Sequence, residues 1–200
     1  CRFSHDHLQV PVYSEEGASK THTSTLEKFR SKWSDKSCLK IFHNGVYEVI
    51  WLTPEYGPPK GPLFDTMVAA FLLNEHTEDQ SLKALAYRYC NAQPWEDKWE
   101  PWKKELKQLE YLPQPFIKPL LAYNEEDIHW TSELWTKLSP LLSGAGLTTI
   151  FRVEMENLKT LARMTSWGVR IDVDLLKTYR DQYQTELTRL ESRFDFNPRS

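Results

Sequence analysis

Apolar residues recur at steps of three and four positions along much of the chain, which is the spacing of amphipathic α-helices. The clearest stripe lies in residues 176–194 and runs for about five turns, through Leu176, Tyr183 and Leu190. Similar stripes predict helices over 24–33, 64–73, 81–89, 120–142 and 151–167. The long helix at 176–194 needs a packing partner, because one of its faces is apolar.

Shorter apolar runs between the helices predict β-strands. Residues 39–42 are apolar enough for a buried strand, and a turn at 43–45 leads into a helix through Val49. Residues 3–13 alternate and then meet a polar turn, which predicts a strand or hairpin. Proline and glycine predict a loop over 53–62. Alternating strands and helices indicate the α/β class.

Local residues suggest where several helices begin and end. Ser24 and Glu27 form a potential capping box for the first helix. Prolines at 113, 115 and 119 are expected to break the chain before the helix at 120–142, and Pro140 is expected to end or bend it. The apolar stripe predicted for that helix consists of Trp130, Leu134, Leu138 and Leu141.

Composition narrows the class of protein. The 200 residues include 40% hydrophobic and 26% charged positions, with a formal charge of −3. These values indicate one sizeable globular domain or one and a half, and no global basic field for nucleic acid. No apolar run approaches the roughly 20 residues of a membrane helix. Three distant cysteines indicate neither a disulfide framework nor a zinc knuckle, and fit a reducing, intracellular setting.

Two clusters carry candidate chemistry. Tyr123 and Asp127 are four residues apart, so a helix presents them on one face, where a phenol can orient water while a carboxylate binds a divalent metal. Asn44 and Glu48 have the same spacing after a predicted strand, the edge at which α/β sheets bind ligands.

Simpler interpretations stay open for both clusters and for a third segment. Acidic residues at 125–127 could complement the dipole of a helix start, and Asn44 could cap a helix with Glu48 in its first turn. Asp65 or Thr66 is expected to be an N-cap. Residues 5–7 read His-Asp-His, but strand alternation places the aspartate opposite the histidines, which disfavours a zinc site.

Four segments occur in an order that resembles one protein family. Residues 40–48 contain Asn, three residues and an acid; 64–73 begin Phe-Asp-Thr-Met; 81–86 read Ser-Leu-Lys-Ala-Leu-Ala; and 123–127 contain Tyr, three residues and Asp. In this order they resemble the proofreading half of a family A DNA polymerase, the family of bacterial DNA polymerase I and many phage replicases. Residues 154–172 resemble the entry to the polymerase domain of that family.

The resemblance implies a fold and a domain division. Residues 1–145 would form an α/β, ribonuclease H-like exonuclease fold, a mixed sheet with flanking helices that is incomplete at its N-terminus. Residues 146–200 would begin the polymerase domain as an all-α segment, with the palm entry and the first thumb helix. The chain would be part of a longer protein.

The resemblance also implies chemistry at particular residues. Asp127 and Glu48 would bind Mg²⁺ or Mn²⁺ in a two-metal site, and Tyr123 would orient the attacking water while a 3′-terminal phosphodiester is hydrolysed. Asn44 and Tyr47 would contact the DNA strand.

The implied partners follow from that chemistry. They are a single-stranded 3′ end and duplex DNA near the thumb helix, with no membrane, for a monomeric protein in the cytoplasm, or in the host cytoplasm if it is phage-encoded. Basic residues on the thumb helix could contact phosphate or form a solvated face: Lys177, Arg180, Arg189 and Arg193. The same two alternatives, contact with DNA or a solvated face, apply to the Trp- and Lys-rich residues 99–107.

Two departures from the family pattern bear on activity. The first metal-binding motif, Asp-x-Glu, is expected before residue 1, so this chain would lack part of the metal site and be inactive alone. Position 48 is Glu where the family has Asp. The extra methylene moves the carboxylate by about 1.5 Å, and a misplacement of about 1 Å can lower a rate about a hundredfold. Proofreading is therefore expected to be weakened or lost.

Two other functions fit parts of the pattern. A free-standing exonuclease of the ribonuclease D type shares the motifs but leaves residues 146–200 unexplained. Alternatively, the exonuclease fold could survive as a structural or DNA-docking scaffold, with Glu48 as a sign of lost catalysis.

Overall fold

A computed structural model describes residues 20–95 and 114–194 of the chain, with side chains from 26 and from 117 onward in the two ranges. The strand predicted at 3–13, the His-Asp-His segment and the Trp- and Lys-rich residues 99–107 lie outside this description.

The described ranges contain seven helices and two short strands. In chain order they are α1 (Lys20–Ser34), β1 (Lys40–Phe42), α2 (Val46–Tyr56), β2 (Leu63–Asp65), α3 (Thr66–Leu73), α4 (Leu82–Cys90), α5 (Gln114–Gly144), α6 (Thr148–Trp167) and α7 (Val173–Glu191). The described part of the chain is thus mostly helical, with a small parallel sheet.

The two strands and the helix between them form a β-α-β unit. β1 and β2 pair in parallel, with Lys40 opposite Leu63 and Phe42 opposite Asp65. Both strands are largely buried, in agreement with their apolar sequences. The pattern at 39–42 predicts β1 correctly, whereas β2 is not predicted, because Phe64 and Asp65 read as the start of the following helix.

Lys40 joins the start of β1 to two neighbouring loops. Although only 9% of the residue is exposed, its ammonium donates hydrogen bonds to the carbonyl oxygens of Asp35 (2.6 Å), Cys38 (2.9 Å) and Lys60. A buried ammonium needs such acceptors, since its desolvation is otherwise costly. This side chain therefore joins the loop that precedes β1 to the loop that precedes β2.

The hydrophobic core lies where the sheet meets α3, α5 and α6. Its fully or nearly fully buried members include Phe64, Ala69, Leu85, Leu134, Leu138, Phe151 and Leu158. The rings of Phe64 and Phe151 lie 4.7 Å apart, which joins β2 to α6. Helix α5 packs against both α3 and α4 and is thus the central helix of this core.

Helix α5 is longer than the sequence predicts. It begins at Gln114 and continues through Pro119 and Pro140 to Gly144. Burial of Leu138 on one side of Pro140 and Leu142 on the other outweighs the hydrogen bond that this proline lacks. The predicted stripe is also corrected at one position: Leu142 is buried, whereas Leu141 is 48% exposed.

Other helix ends differ from their predictions as well. Helix α1 begins at Lys20, so Ser24 lies inside it and does not cap it. Helix α2 extends through Pro54 to Tyr56, and the loop begins at Gly57, whose N–H bonds to the Thr53 carbonyl. The other predicted helices are confirmed, with shifts of a few residues at their ends.

The contacts divide the chain into two compact units. One comprises the described residues up to Ser166, and the other those from Trp167 onward. Helix α6 belongs to the first unit, where Phe151, Met155 and Leu158 join the core. Helix α7 belongs to the second unit and contains no buried residue within 173–191.

In the described ranges, no helix combines the length and the hydropathy that crossing a bilayer requires.

Candidate active site

A buried carboxylate organises the turn between β1 and α2. Asp65 is 1% exposed at the end of β2, and its oxygens accept hydrogen bonds from the N–H groups of Asn44 (3.2 Å) and Gly45 (2.6 Å). The same carboxylate accepts the N–H groups of Met67 (2.9 Å) and Val68 (3.3 Å) at the start of α3. The expectation that Asp65 is an N-cap is confirmed, and the carboxylate also serves a second turn.

The backbone of this turn is unusual at two residues. Asn44 has φ 65°, a left-handed conformation that asparagine tolerates better than most residues. A Cβ atom at Gly45 would lie 2.7 Å from the Phe42 side chain, so the turn requires glycine there. Gly45 is the N-cap of α2 and no side chain caps it, so the alternative that Asn44 caps this helix is wrong. Asn44 and Tyr47 are both exposed.

Glu48 lies in the first turn of α2 and is half-buried. Its Oε2 atom is buried and, among the described residues, receives no hydrogen bond. Burial raises the pKa of this carboxyl, and the nearby charge of Asp65 adds to the effect. The helix-start alternative is correct for the position of Glu48 but does not account for its buried, unpaired oxygen.

His43 and Thr66 complete this first cluster. The hydroxyl of Thr66 donates to the Phe42 carbonyl (3.0 Å), so the 2.9 Å contact with His43 Nδ1 requires that the histidine donates its own proton. Burial lowers the pKa of His43 and therefore favours the neutral ring. We call this group of His43, Asn44, Glu48, Asp65 and Thr66 the β1-α2 cluster.

A second cluster surrounds Tyr123 and Asp127 on α5. The Nε1–H of Trp95 donates to Asp127 Oδ1 (2.8 Å), and Lys83 Nζ donates to the Tyr123 hydroxyl (3.0 Å). The Lys83 ammonium also lies 5.4 Å from the ring centroid of Tyr123 and 6.0 Å from that of Trp95. Trp95 is 8% exposed and stacks on Trp130, with centroids 5.9 Å apart. We call the group of Lys83, Trp95, Tyr123, Asp127 and Trp130 the α4-α5 cluster.

The position of this cluster within α5 excludes one alternative. Tyr123 lies nine residues after Gln114, the first residue of the helix. The carboxylates at 125–127 are therefore not in the first turn, where the positive end of the helix dipole stabilises acidic side chains. The structure thus gives the acids at these positions no role at a helix start.

The structure brings Tyr123 and Asp127 together and places Glu48 and Asn44 in the β1-α2 cluster, while Tyr47 is an exposed residue of the first turn of α2. Convergence of the Glu48 and Asp127 carboxylates stays a prediction. Within the described ranges no three His, Cys, Asp or Glu residues form a group that could hold a metal ion. The buried oxygen of Glu48 suits a cation, but the described residues by themselves do not complete a metal centre.

Sequence reasoning misses two members of the α4-α5 cluster. Lys83 stands out in the sequence only as part of the segment 81–86, and Trp95 only as part of a Trp-rich stretch. The position of Trp95 next to Pro94 gives no indication that its indole bonds to a carboxylate 32 residues away.

A model of the 3′-5′ exonuclease family matches residues 1–143, more than half of the chain. The chain belongs to this family. The predicted resemblance to the exonuclease domain of family A DNA polymerases is therefore confirmed, and exonucleases of this family generally use divalent metal ions.

Relatives of this exonuclease chain include DNA polymerases. DNA polymerase I of Rhizobium leguminosarum is 28% identical over 169 residues, which cover 83% of the chain and 16% of the relative. DNA polymerase DpoZ of Vibrio phage phiVC8 is 27% identical over 137 residues, 58% of the chain and 21% of the relative. Exosome complex component 10 of Homo sapiens is 27% identical over 107 residues, 52% of the chain and 11% of the relative. The exonuclease chain thus spans about a fifth or less of the length of each.

Proposed function

We propose that the protein carrying this chain hydrolyses the 3′-terminal phosphodiester of single-stranded DNA, with Asp127, Tyr123 and Glu48 as its reactive side chains. The environment of the Asp127 carboxylate is the main support for this proposal. Its carboxylate lies on one face of a long helix together with a phenol, and a buried tryptophan fixes one of its oxygens. A carboxylate held in a defined orientation is what metal binding or water activation requires.

Each side chain has a distinct role in this proposal. Asp127 and Glu48 would hold Mg²⁺ or Mn²⁺ together with ligands outside the described residues. When bound, the metal ions supply an activated water and stabilise the oxygen that leaves. Tyr123 orients the water through its hydroxyl. The buried Oε2 of Glu48, which receives no hydrogen bond from the described residues, supports its assignment, because a buried anionic oxygen without a donor is costly unless a cation or proton compensates it.

Asn44 and Tyr47 are the proposed contacts to the DNA strand. Tyr47 is 62% exposed and its ring lies 6.2 Å from that of Trp51, which is 68% exposed. Exposed aromatic rings favour stacking of unpaired bases, which does not depend on sequence. Asn44 is exposed and has a left-handed backbone, and it lies three residues before Tyr47 in the turn that leads into α2.

The division into an exonuclease-like domain over 1–145 and the start of a polymerase domain over 146–200 is also part of the proposal. The alignment with DNA polymerase I of Rhizobium leguminosarum spans 169 residues, more than the 143 residues of the family match, so it includes positions beyond the exonuclease segment. In the proposed domain, α7 is the first thumb helix, and duplex DNA is the partner of its basic residues. A mixed sheet that includes β1 and β2 completes the proposed fold.

A second candidate function is a DNA-docking scaffold with the same fold. It is favoured by Glu48, whose longer side chain would misplace a metal ligand. Such a scaffold would bind a single-stranded 3′ end without shortening it.

An Asp127→Asn variant of the natural protein that carries this chain separates the two functions. The amide keeps an oxygen acceptor for the Trp95 indole but loses the charge, so the fold should be retained. Trimming of 5′-labelled single-stranded DNA in Mg²⁺ should slow by at least about a hundredfold, since metal-held charge stabilisation is worth several kcal/mol.

Asp79→Asn is the matched control, because the exposed Asp79 also accepts one N–H, that of Ser81, at 2.8 Å. Its trimming rate should equal that of the unaltered protein. Equal rates for Asp127→Asn and the unaltered protein would refute the assignment of Asp127. If the unaltered protein binds single-stranded DNA but does not trim it, the scaffold function is established.

A further inference from the structure

Lys83 contacts Tyr123, which is one of the proposed reactive side chains, and Trp95, which bonds to another, Asp127. Its ammonium is 3.0 Å from the Tyr123 hydroxyl and 6.0 Å from the ring centroid of Trp95. Trp95 in turn bonds to Asp127. One half-buried cation on α4 thus contacts the phenol directly and the partner of the carboxylate through an aromatic face.

The chemistry of the two groups fixes the direction of their hydrogen bond. An ammonium has three donors and no acceptor, so Lys83 donates and the Tyr123 oxygen accepts. The phenolic proton of Tyr123 must then point away from Lys83. A free phenol could rotate its O–H to either side, whereas this contact selects one arrangement.

The Tyr123 hydroxyl and the Trp95 ring both contact the ammonium. A cation within about 6 Å of a ring centroid is attracted by the negative face of the ring, and more strongly where water is excluded. Trp95 is itself fixed by stacking on Trp130 and by its hydrogen bond to Asp127. Lys83 therefore contacts the same tryptophan that bonds to Asp127.

We propose that Lys83 is a positioning residue for the hydrolysis: it fixes the hydroxyl orientation of Tyr123, and so the water that Tyr123 orients. This inference rests on the proposed function. It assigns Lys83 no contact with DNA, since its action passes through Tyr123.

The test is a double-mutant cycle in the natural protein, with Lys83→Met, Tyr123→Phe and the double variant. Lys83→Met should lower the turnover number for DNA trimming about tenfold, as expected for loss of a hydrogen bond to a charged group, with the Michaelis constant little changed. In the Tyr123→Phe background, which lacks the hydroxyl, the same substitution should cause no further loss. Lys83→Arg, which retains a donor and the charge, should recover part of the rate.

Two measurements distinguish a positioning role from others. Binding of fluorescent single-stranded DNA in EDTA should be equal for Lys83→Met and the unaltered protein. A phosphate contact would instead weaken binding and lower the salt slope of the affinity by about one. Lys28→Met, at an exposed lysine of α1, should change neither trimming nor binding.

The outcomes also separate this inference from the proposed function. If Asp127→Asn abolishes trimming while Lys83→Met has the turnover number of the unaltered protein, the role of Lys83 is refuted and the function stands. Equal losses from Lys83→Met with and without the Tyr123 hydroxyl would also refute it. If the unaltered protein trims no DNA, both proposals fail.

Discussion

Single residues at the turn between β1 and α2 determine the charge balance of the first cluster. The Asp65 carboxylate accepts four backbone N–H groups, from two different helix starts. Hydrogen bonds of this kind offset the cost of burying a polar group. Among the described residues, no such donor reaches the Oε2 atom of Glu48, and this carboxyl lies close enough to Asp65 for the two charges to repel each other. The Asp65 carboxylate is thus compensated by several donors, whereas the Oε2 atom of Glu48 receives none from the described residues.

This imbalance predicts a pH dependence of stability in the absence of metal. The folded-state pKa of Glu48 is raised above its ordinary value of 4.5, so the folded chain binds more protons than the unfolded chain above that pH. The stabilisation from protonated Glu48 is therefore complete below pH 4.5 and is lost as the pH rises through the folded-state pKa. In EDTA, Glu48→Gln should remove this loss and make the chain more stable than the unaltered chain at neutral pH.

Urea unfolding across the acidic to neutral pH range measures this effect. Glu27→Gln, at an exposed glutamate of α1, is the control and should leave the pH dependence of the unaltered chain in place. If the free energy of unfolding depends on pH in the same way for Glu48→Gln and the unaltered chain, the prediction that burial raises the pKa of Glu48 is contradicted.

At the scale of whole elements, α5 supports both the core and the α4-α5 cluster. Leu134 and Leu138 are fully buried at successive helical turns, and Leu142 continues the stripe. The same helix presents Tyr123 and Asp127 in its first half. Packing of the stripe against α3 therefore fixes the direction in which the two reactive side chains leave the helix.

Leucines of this helix should differ sharply in their contribution to stability. Leu138→Ala should lower the free energy of unfolding by about 2–5 kcal/mol, because it leaves a cavity in the core. Leu141→Ala, at a site 48% exposed and nearly one turn away, should lower it by less than about 1 kcal/mol. Urea unfolding of both variants measures the difference. Similar losses would mean that the apolar stripe of α5 has been assigned to the wrong face.

The sequence predicts the elements better than their ends. Periodicity identifies the helices because their apolar faces are continuous, and β1 because it is short and apolar. It misses β2, whose three residues are followed directly by α3. Prolines are expected to end α2 and α5 early, yet both helices continue, because tertiary burial around Pro140 is worth more than the hydrogen bond it lacks.

At the scale of the whole molecule, the order of the motifs along the chain predicts the family. The spacing of residues within a motif does not predict which distant side chains complete the site. The Tyr123–Asp127 pair follows from helical geometry, since four residues make about one turn. Lys83 and Trp95 reach that pair from 40 and 32 residues away along the chain. Contacts of this kind depend on how helices pack, which no local pattern of one sequence specifies.

The central claim is that Glu48 and Asp127, which lie in two side-chain clusters, serve one reaction. Its most direct test is a double-mutant cycle on the catalytic efficiency of DNA trimming by the natural protein, with Glu48→Gln, Asp127→Asn and both together. Residues that act as a unit have strongly non-additive effects. The double variant should therefore be no slower than the slower single variant. Losses that multiply, or a Glu48→Gln rate equal to that of the unaltered protein, would contradict a shared site.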